Sequence, residues 1–576
     1  MVSRSTTRLV NLVYPIPETK AGFNLESPTM KKILTACLCA TFSSVATGAT
    51  LIHNINGYTL NNGELERFQA MEFEDEKITA IYPDEKAFAK SDATQRIDGE
   101  GATLLPGLID AHGHVGGYGK ALSSVQLTGV ESEAAAAERV AAFAADSDNP
   151  WIMGRGWNQV LWPDKQFPFK QSLDEASTTR PVALFRIDGH ALWVNSRALE
   201  LAGIDATTPD PEGGQILRDA AGQPTGVLVD NAMNAVKAAF PPVTDTRTAQ
   251  YLHTALSQLA SYGLTSTHDA RVDAQTVRAY QLLADEQNLP IRVYGMLDVL
   301  DPKNDGYLQD GPMIAPGHML DIRSVKISAD GALGSRGAAL AADYSDQPGQ
   351  KGLLLLSDQT LKHHISRAMA AGYQVNTHAI GDLANTRVLD FYESLIKEHD
   401  SAALRHRVEH SQILRVEDIP RFKQMGVIAS IQPTHATSDK NMAGNRLGKQ
   451  RLVGAYAWKS LLNAGTKMAG GSDFPVEHPN PFYGLHAAVT RQSQDDKPVG
   501  GWLPEQKISR EQALSLFTEG AAYAAHQETV IGRLAPGYYA DFILVEQDYF
   551  AMPEKAIWES KVLETWVAGK RVYAAP

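Results

Sequence analysis

The chain is poor in cysteine. Its 576 residues contain two, Cys37 and Cys39, and both lie near the amino terminus. We interpret the segment around them as a removable leader, so the predicted mature chain has no cysteine at all. This excludes a disulfide framework and a thiolate nucleophile. Any metal site in the mature chain must be built from histidine, carboxylate and similar oxygen donors.

The chain also lacks clusters of positive charge, and it contains no heptad array, low-complexity tract or internal repeat. Its formal net charge is −13, and the first 49 residues carry five Lys/Arg and two Asp/Glu, which leaves −16 on the remainder. Because such an acidic surface repels phosphate groups, we expect neither nucleic acid nor an anionic membrane as a partner. With 43% hydrophobic and 21% charged residues, the chain is globular and large enough for two or three folding units.

The amino terminus has the pattern of a secretory signal peptide. A positively charged start is followed by an apolar stretch, residues 33–42, and by small residues up to Ala49. The apolar stretch is too short and too polar to span a membrane. We therefore expect residues 30–49 to be cleaved, which predicts a periplasmic or secreted protein without a membrane anchor, and residues 1–29 to be a mis-assigned extension. A lipoprotein cleavage box ending at Cys37 is the less favoured alternative.

An apolar run from Leu104 ends in two histidines, His112 and His114. Side chains alternate between the two faces of a β-strand, so both imidazoles project from one face. Two neutral imidazoles at a strand end suit a divalent metal ion. Taken alone, the pattern fits the polar edge of an ordinary strand equally well. The choice between this and a metal site depends on the rest of the chain.

Four later segments repeat the order of β-prone run, polar residue and helix-like stretch. Their polar residues are Lys326, His378, His410 and Asp473. Strands that alternate with helices predict βαβ units and a parallel sheet. In a closed eight-stranded barrel, the carboxyl ends of the strands carry the chemistry. The sequence therefore predicts an α/β fold in which these side chains meet at one mouth.

Six motifs in this order resemble those of the metal-dependent amidohydrolase superfamily, in its YtcJ-like branch (amidohydrolase family 3), which includes N-substituted formamide deformylase. They are residues 106–114 (PGLIDAHGH), 325–336 (VKISADGALGSR), 376–382 (NTHAIGD), 407–410 (RVEH), 471–476 (GSDFPV) and 532–542 (GRLAPGYYADF). The resemblance extends from about residue 50 to the carboxyl terminus. Chance agreement over so many motifs is improbable.

The resemblance implies a particular arrangement of domains. A distorted TIM (β/α)8 barrel is expected over residues 104–529, with a large insertion after its first strand, about residues 115–260. A small β-sandwich is expected from the two ends of the chain, residues 50–103 and 530–576. The insertion explains why the barrel segment is longer than the ~250 residues of a plain barrel.

The resemblance also implies a site for two divalent metal ions, expected to be zinc, and a bridging lysine carboxylated by carbon dioxide. Its residues are His112, His114 and Asp473 for one ion, His378 and His410 for the other, and Lys326 as the bridge. A lysine ammonium repels a cation, whereas a carbamate offers an anionic oxygen, and buried lysine shifts its pKa readily. The alternative is an unmodified Lys326 paired with Asp330 beside a single ion.

The implied reaction is metal-assisted hydrolysis of a small molecule. Metals in this site lower the pKa of a bound water to about 7 and polarise the substrate carbonyl. Asp473 is the expected general base and proton carrier to the leaving amine. The expected substrate is an amide, N-formyl or N-acyl amine, cut at a non-peptide C–N bond. The alternatives are a cyclic imide, ester or peptide-like amide, or a non-catalytic ligand-binding protein with a degenerate metal site. The oligomeric state is left open, a homo-oligomer included.

Five further residues are candidate substrate contacts. They are Trp157 and His190 in the insertion, His268 at a strand end, Arg336 in a glycine-rich loop, and His435 between the strands that end at His410 and Asp473. Long insertions and loops are where binding residues concentrate. Alternatively, an aromatic such as Trp157 lies in the core, and Arg336 braces its own loop.

Overall fold

The computed structural model describes residues 48–576. The predicted extension 1–29 lies outside the described residues, and so does the predicted signal peptide 30–49 except for its last two residues. Within the described range, no helix is both long enough and apolar enough to cross a membrane.

Eight parallel strands form a nearly closed barrel at the centre of the fold. They are β1 (Leu108–Gly113), β2 (Leu264–Val272), β3 (Arg292–Asp298), β4 (Leu320–Ser328), β5 (Gln374–Ala379), β6 (Arg407–His410), β7 (Ile428–Ile431) and β8 (Met468–Gly470). Each strand pairs with the next one along the chain, and the short strand Met313–Ile314 pairs antiparallel with β4. The predicted α/β class and TIM-like barrel are confirmed.

Backbone hydrogen bonds just beyond β8 close the seam between the last strand and the first. The N–H of Asp473 donates to the carbonyl oxygen of His112 at 2.7 Å. The N–H of His114 donates to the carbonyl oxygen of Phe474 at 2.8 Å. The segments that carry the two histidines and the aspartate are therefore held edge to edge.

A buried carboxylate, Asp110, holds the same seam from inside the barrel. It accepts hydrogen bonds from the hydroxyl of Ser472 at 2.7 Å and from the N–H of His112 at 3.0 Å. Gly471 makes the approach possible, because a Cβ there would stand 2.6 Å from both Asp110 Oδ1 and His112 N. Real Cβ atoms do not come so close to backbone, so this position requires glycine.

Helices surround the barrel and cover it with amphipathic faces. They are Val115–Leu122, Asp245–Ser261, Ala274–Asp285, Asp305–Asp310, Asp358–Ala370, Asp382–His399, Ile419–Met425, Pro433–Leu447, Trp458–Asn463, Pro481–Thr490, Arg510–Leu516 and Glu519–Ala524. The helix Asp245–Ser261 shows the pattern: Leu252, Leu256 and Leu259 are buried at helical spacing. The Thr244 hydroxyl accepts from the N–H of Arg247 and caps its start.

The segment between β1 and β2 contains a six-stranded sheet of its own. In sheet order, the strands are Gly214–Arg218, Pro224–Asp230, Ala191–Val194, Val182–Arg186, Ile152–Trp157 and Val125–Gln126. Its helices are Glu133–Asp146, Lys170–Ala176, Ser196–Leu201 and Met233–Ala238. One apolar cluster of this segment contains Trp157, Trp162 and Trp193, so the segment has a core separate from that of the barrel.

Strands from both ends of the described chain form two further sheets. A six-stranded sheet has the order Lys570–Ala574, Val562–Val567, Phe542–Val545, Thr103–Pro106, Asn56–Asn61 and Glu64–Phe68. A four-stranded sheet has the order Lys77–Tyr82, Ala70–Glu74, Thr50–His53 and Gln95–Asp98, and the helix Glu85–Phe88 follows its edge strand. One apolar cluster contains Ile52 and Phe73 of the smaller sheet and Leu104 and Phe542 of the larger.

Gly471→Ala is expected to lower the free energy of unfolding by about 1–3 kcal/mol, because the new methyl group overpacks the seam against buried backbone. Chemical denaturation measures the change. Gly116→Ala is the matched control, since its Cβ would meet only Leu252 Cδ2, at 3.9 Å. Equal stability of the two variants would show that the seam tolerates a side chain.

Candidate metal centre

The structure brings the six predicted ligands together at the carboxyl end of the barrel. Five of them line one cavity of about 400 Å³: His114, Lys326, His378, His410 and Asp473. His112 is fully buried beneath them, with its Nε2 3.3 Å from Lys326 Nζ. The barrel topology accounts for this meeting, because each residue lies close to the carboxyl end of a strand, either just before it or just after it.

Three of the histidines are oriented by hydrogen bonds from Nδ1. His112 donates to Glu409 Oε2 (2.6 Å), His114 to the carbonyl oxygen of Ala270 (3.0 Å), and His410 to Gln432 Oε1 (2.8 Å). A carboxylate and a carbonyl oxygen accept hydrogen bonds and cannot donate them, so the ring hydrogen lies on Nδ1. The Nε2 atom of each ring therefore presents a lone pair to the site, as metal-binding histidines do.

These lone pairs face the carboxylate of Asp473. Its Oδ1 lies 3.1 Å from His114 Nε2 and 3.5 Å from His112 Nε2. Between neutral rings and the carboxylate no hydrogen is shared, so the contacts are repulsive unless a cation sits among them. The three donor atoms are all within 4.8 Å of one another. Two imidazoles and a carboxylate are a suitable donor set for a divalent ion such as zinc.

A second group of donor atoms within 4.8 Å of one another consists of His410, His435 and Asp473. His378, the expected partner of His410, lines the same cavity, with its ring 4.4 Å from that of His410. Its Nε2, however, lies 3.5 Å from Asp330 Oδ1. In this geometry the donor atom of His378 stays outside both groups.

The carboxylate of Asp330 holds backbone amides near the site. It accepts hydrogen bonds from the N–H groups of Ala339 (2.9 Å), Ile380 (3.0 Å) and Gly381 (2.8 Å). Among residues 48–576, Asp330 is thus held by backbone amides and forms no ion pair with Lys326, so the alternative in which the two residues pair gains no support. Burial lowers the pKa of Lys326, which favours the neutral amine, the form that reacts with carbon dioxide.

The charges at the site suit a cation. Burial lowers the pKa of His112 and of His410, so both rings are neutral at pH 7 and their lone pairs are free. Burial opposes the ionisation of Asp473, but the histidines that surround its carboxylate still hold its pKa well below its usual range. Burial likewise opposes the ionisation of Glu409, and His112 beside it still lowers its pKa. Both carboxylates are thus anionic.

Two of the ligand positions have a strained backbone. His410 has φ of 77° and Asp473 has φ of 62°, in the left-handed region that favours glycine. Such conformations cost about 1–3 kcal/mol each and persist where the surrounding structure imposes them. Here the backbone of Asp473 is held by the hydrogen bonds of the seam, and the side chain of His410 by Gln432. In these conformations both side chains line the cavity.

A family model described as the amidohydrolase family matches residues 95–573. The chain belongs to the amidohydrolase family. YtcJ of Bacillus subtilis (strain 168), named as an amidohydrolase, is 34% identical over 524 residues, which cover 88% of this chain and 97% of YtcJ. N-substituted formamide deformylase of Arthrobacter pascens is 26% identical over 488 residues, 82% of this chain and 89% of that enzyme. The crystal structure of an uncharacterized metal-dependent hydrolase from Pyrococcus horikoshii OT3 has a TM-score of 0.72 at 25% identity and covers 88% of this chain and 99% of its own.

The family suggested by the motifs is thereby confirmed, and the chain is a hydrolase. The donor groups described above are those of a metal-dependent member. Two of the expected substrate contacts of this amidohydrolase, however, lie in the inserted sheet and away from the cavity wall. Trp157 is fully buried there, and its Nε1 donates to the carbonyl oxygen of Leu184 at 2.7 Å. His190 has 75% of its side chain exposed and pairs with Asp230 at 2.8 Å.

His268 and Arg336 do not line the cavity either, and Arg336 takes the alternative role of bracing its own loop. His268 is fully buried inside the barrel, where its Nδ1 accepts a hydrogen bond from Arg407 Nη1 at 3.0 Å. Arg336 contacts Asp346 through Nε and Nη2, at 3.3 and 3.1 Å, and braces the loop whose residues 332–334 cover the cavity. Neither side chain is among the residues that line the cavity. Of the five expected contacts, His435 is the one that lines the cavity of this amidohydrolase.

Several residues of the site were not predicted from the sequence. Glu409, which orients His112, directly precedes His410, and the motif Arg407–His410 contained this information. Arg271, Gln412, Asp439 and Glu477 also line the cavity, with no motif that marks them in one sequence. Gln412 lies two residues after His410, and this spacing was the available indication that it lies near the site.

Glu409→Gln is expected to weaken metal binding by this amidohydrolase about 10–100-fold, because the bond that orients His112 loses its anionic acceptor. Competition with a chromophoric chelator at fixed pH measures the affinity. Glu417→Gln, an exposed position after the same strand, is the control. If both variants bind metal as wild type does, Glu409 does not support the site.

Proposed function

We propose that this amidohydrolase cleaves a C–N bond of an amide, N-formyl or N-acyl amine. The observation that carries the proposal is the convergence of imidazole lone pairs on the carboxylate of Asp473, which only a cation makes favourable. The similarity to N-substituted formamide deformylase supports the choice of bond. Cyclic imides and esters present the same carbonyl group and remain alternative substrates of the same centre.

In this proposal, His112, His114 and Asp473 hold one divalent ion, and His410 and His378 hold a second beside a carboxylated Lys326. Zinc suits such histidine and oxygen donors. When bound, the ions would acidify a water molecule and polarise the substrate carbonyl. The low pKa that burial gives to Lys326 supports its carboxylation.

Asp473 is the general base in this proposal. Its carboxylate is anionic, lines the cavity, and has its Oδ1 and Oδ2 directed toward the histidines rather than toward backbone amides. It would take a proton from the attacking water and deliver it to the nitrogen of the leaving amine. The seam holds its backbone N–H on His112, so the carboxylate stays at a fixed distance from the ligands.

The cavity favours a small polar substrate. Its volume is about 400 Å³, with Arg271 on the side of β2 and with Asp439 and Glu477 beyond β7 and β8. Opposite charges on two walls orient a substrate that carries a dipole. A small molecule is therefore the partner we propose, and the surface charge of −16 on the chain beyond residue 49 gives no support for a polyanion.

We also propose that the two terminal sheets form a β-sandwich, as relatives of the family led us to expect. The apolar cluster that contains residues of both sheets supports it. The charged start and apolar stretch of residues 30–49 support export to the periplasm or beyond. The proposal leaves the number of subunits open.

Chelation is expected to abolish hydrolysis of N-formyl and N-acyl amines, and added zinc is expected to restore it, because the site needs a cation. Assays of amine release before and after dialysis against a chelator, with metal analysis, test this. A protein that only binds ligand has no turnover to lose. Hydrolysis that survives complete metal removal would contradict the proposed function.

Asp473→Asn is expected to lower kcat by about 10²–10⁴-fold while at least one metal ion is retained, because the amide cannot accept the proton. Steady-state kinetics and elemental analysis measure the two effects. Asp285→Asn, at an exposed helix end, is the control for the same chemical change. Turnover near the wild-type rate in the Asp473 variant would remove it from the role of base.

The predicted leader gives a separate expectation. When the full chain is expressed in a bacterial host, the exported protein is expected to begin near Thr50. Amino-terminal sequencing of periplasmic and cytoplasmic fractions measures this, with a variant that lacks residues 30–49 as the control. An exported protein that still carries residues 30–49 would contradict cleavage.

A further inference from the structure

His435 presents an unused polar atom to the cavity. The residue lies at the start of the helix Pro433–Leu447 and is buried, with 7% of its surface exposed. Its Nε2 is 3.8 Å from Asp473 Oδ2 and has no hydrogen-bond partner among residues 48–576. Its ring is stacked on that of His410, with 6.0 Å between centroids. A buried polar atom of this kind, on the wall of a cavity, is available to a ligand.

The hydrogen bond at Nδ1 of His435 determines whether Nε2 carries a hydrogen. Gln412 Nε2 lies 2.9 Å from His435 Nδ1. An amide NH₂ group donates and does not accept, so Nδ1 is the bare nitrogen and the ring hydrogen lies on Nε2. The arrangement is the opposite of that in His112, His114 and His410, whose Nδ1 atoms donate. His435 therefore offers an N–H group where the ligands offer lone pairs.

An N–H group cannot bind a metal ion, although the distances alone place His435 with His410 and Asp473 in a group of possible donors. We propose that His435 is a catalytic residue that donates its Nε2–H hydrogen bond to the carbonyl oxygen of the substrate. We assign Gln412 as the positioning residue that fixes the tautomer. This inference rests on the proposed function and adds to it the group that recognises the carbonyl.

The role follows from the charge that develops during hydrolysis. As the carbonyl carbon becomes tetrahedral, negative charge accumulates on its oxygen, and a fixed N–H donor stabilises it more strongly than it stabilises the neutral substrate. Gln412 is suited to hold the donor, because it is buried and its main chain is fixed by the hydrogen bond that its backbone carbonyl oxygen accepts from the N–H of Tyr456 at 2.6 Å. The proton stays on His435 throughout, and no bond to it is made or broken.

Gln412→Glu tests the assignment with almost no change of shape. A carboxylate only accepts hydrogen bonds, so it draws the ring hydrogen to Nδ1 and leaves Nε2 bare. We expect kcat for amide hydrolysis to fall about 10²–10³-fold, with KM and the zinc content per chain nearly unchanged. His435→Phe is expected to have the same effect. His435→Gln, which offers an amide N–H, is expected to recover part of the rate.

The tautomer can be measured without turnover. Long-range ¹H–¹⁵N correlation spectra of zinc-loaded protein labelled with ¹⁵N-histidine distinguish the two forms, and the signals that vanish in His435→Phe belong to His435. We expect the Nε2–H form in wild type and the Nδ1–H form in Gln412→Glu. Gln250→Glu, the same change on the exposed face of the helix Asp245–Ser261, is the control and leaves the spectrum of His435 unchanged.

Three results would overturn the inference. Loss of one zinc ion per chain in His435→Phe would make His435 a ligand. The Nδ1–H form in wild type would remove the donor, and wild-type kcat in Gln412→Glu would remove the positioning role. A wild-type enzyme that hydrolyses no amide contradicts the proposed function, and with it the donor role, whereas the spectra still decide whether Gln412 fixes the tautomer.

Discussion

The distance between the first and the last strand of the barrel is the constraint on which the site depends. His112 and His114 belong to one edge of this seam and Asp473 to the other, and two backbone hydrogen bonds connect them. Asp110 and Gly471 bring the edges closer than side chains would allow. Donor atoms that repel one another are therefore held in contact by the fold, so that a bound cation gains their full attraction and does not have to assemble them.

The barrel interior beneath the site is polar, unlike the layers of branched apolar side chains that fill most such barrels. Arg407 and Glu409 of β6 reach across it to His268 of β2 and His112 of β1. Glu409, which orients His112, has its Oε1 3.9 Å from Nη1 of the buried Arg407. The site is therefore connected to charged residues in the core of the barrel. Within the described part of the chain, Asn376 also has both side-chain polar atoms unpaired in this interior, which is the kind of place where proteins hold internal water.

The sequence was sufficient to predict the barrel and the location of the ligands, because both follow from local patterns. A histidine or aspartate at the end of a β-prone run reaches the mouth of the barrel whatever the intervening loops do. The expected contacts that do not line the cavity are residues whose environment is set by distant segments. His268 lies in the middle of β2, which continues to Val272, so its side chain stays in the interior, where it contacts Arg407, 139 positions away. Trp157 and His190 belong to the inserted segment, and no motif predicts where its sheet lies. The hydrogen bonds of Asp330 depend on the amides of another loop.

The order of strands in the larger terminal sheet has a consequence for the time course of folding. Thr103–Pro106 lies between Asn56–Asn61 and Phe542–Val545, so its two neighbours are separated by nearly the whole chain. The strand Asn56–Asn61 must wait for the strand Phe542–Val545 before this sheet is complete, and contacts at such a separation form slowly. A newly made chain thus completes this sheet only after all eight strands of the barrel have been synthesised.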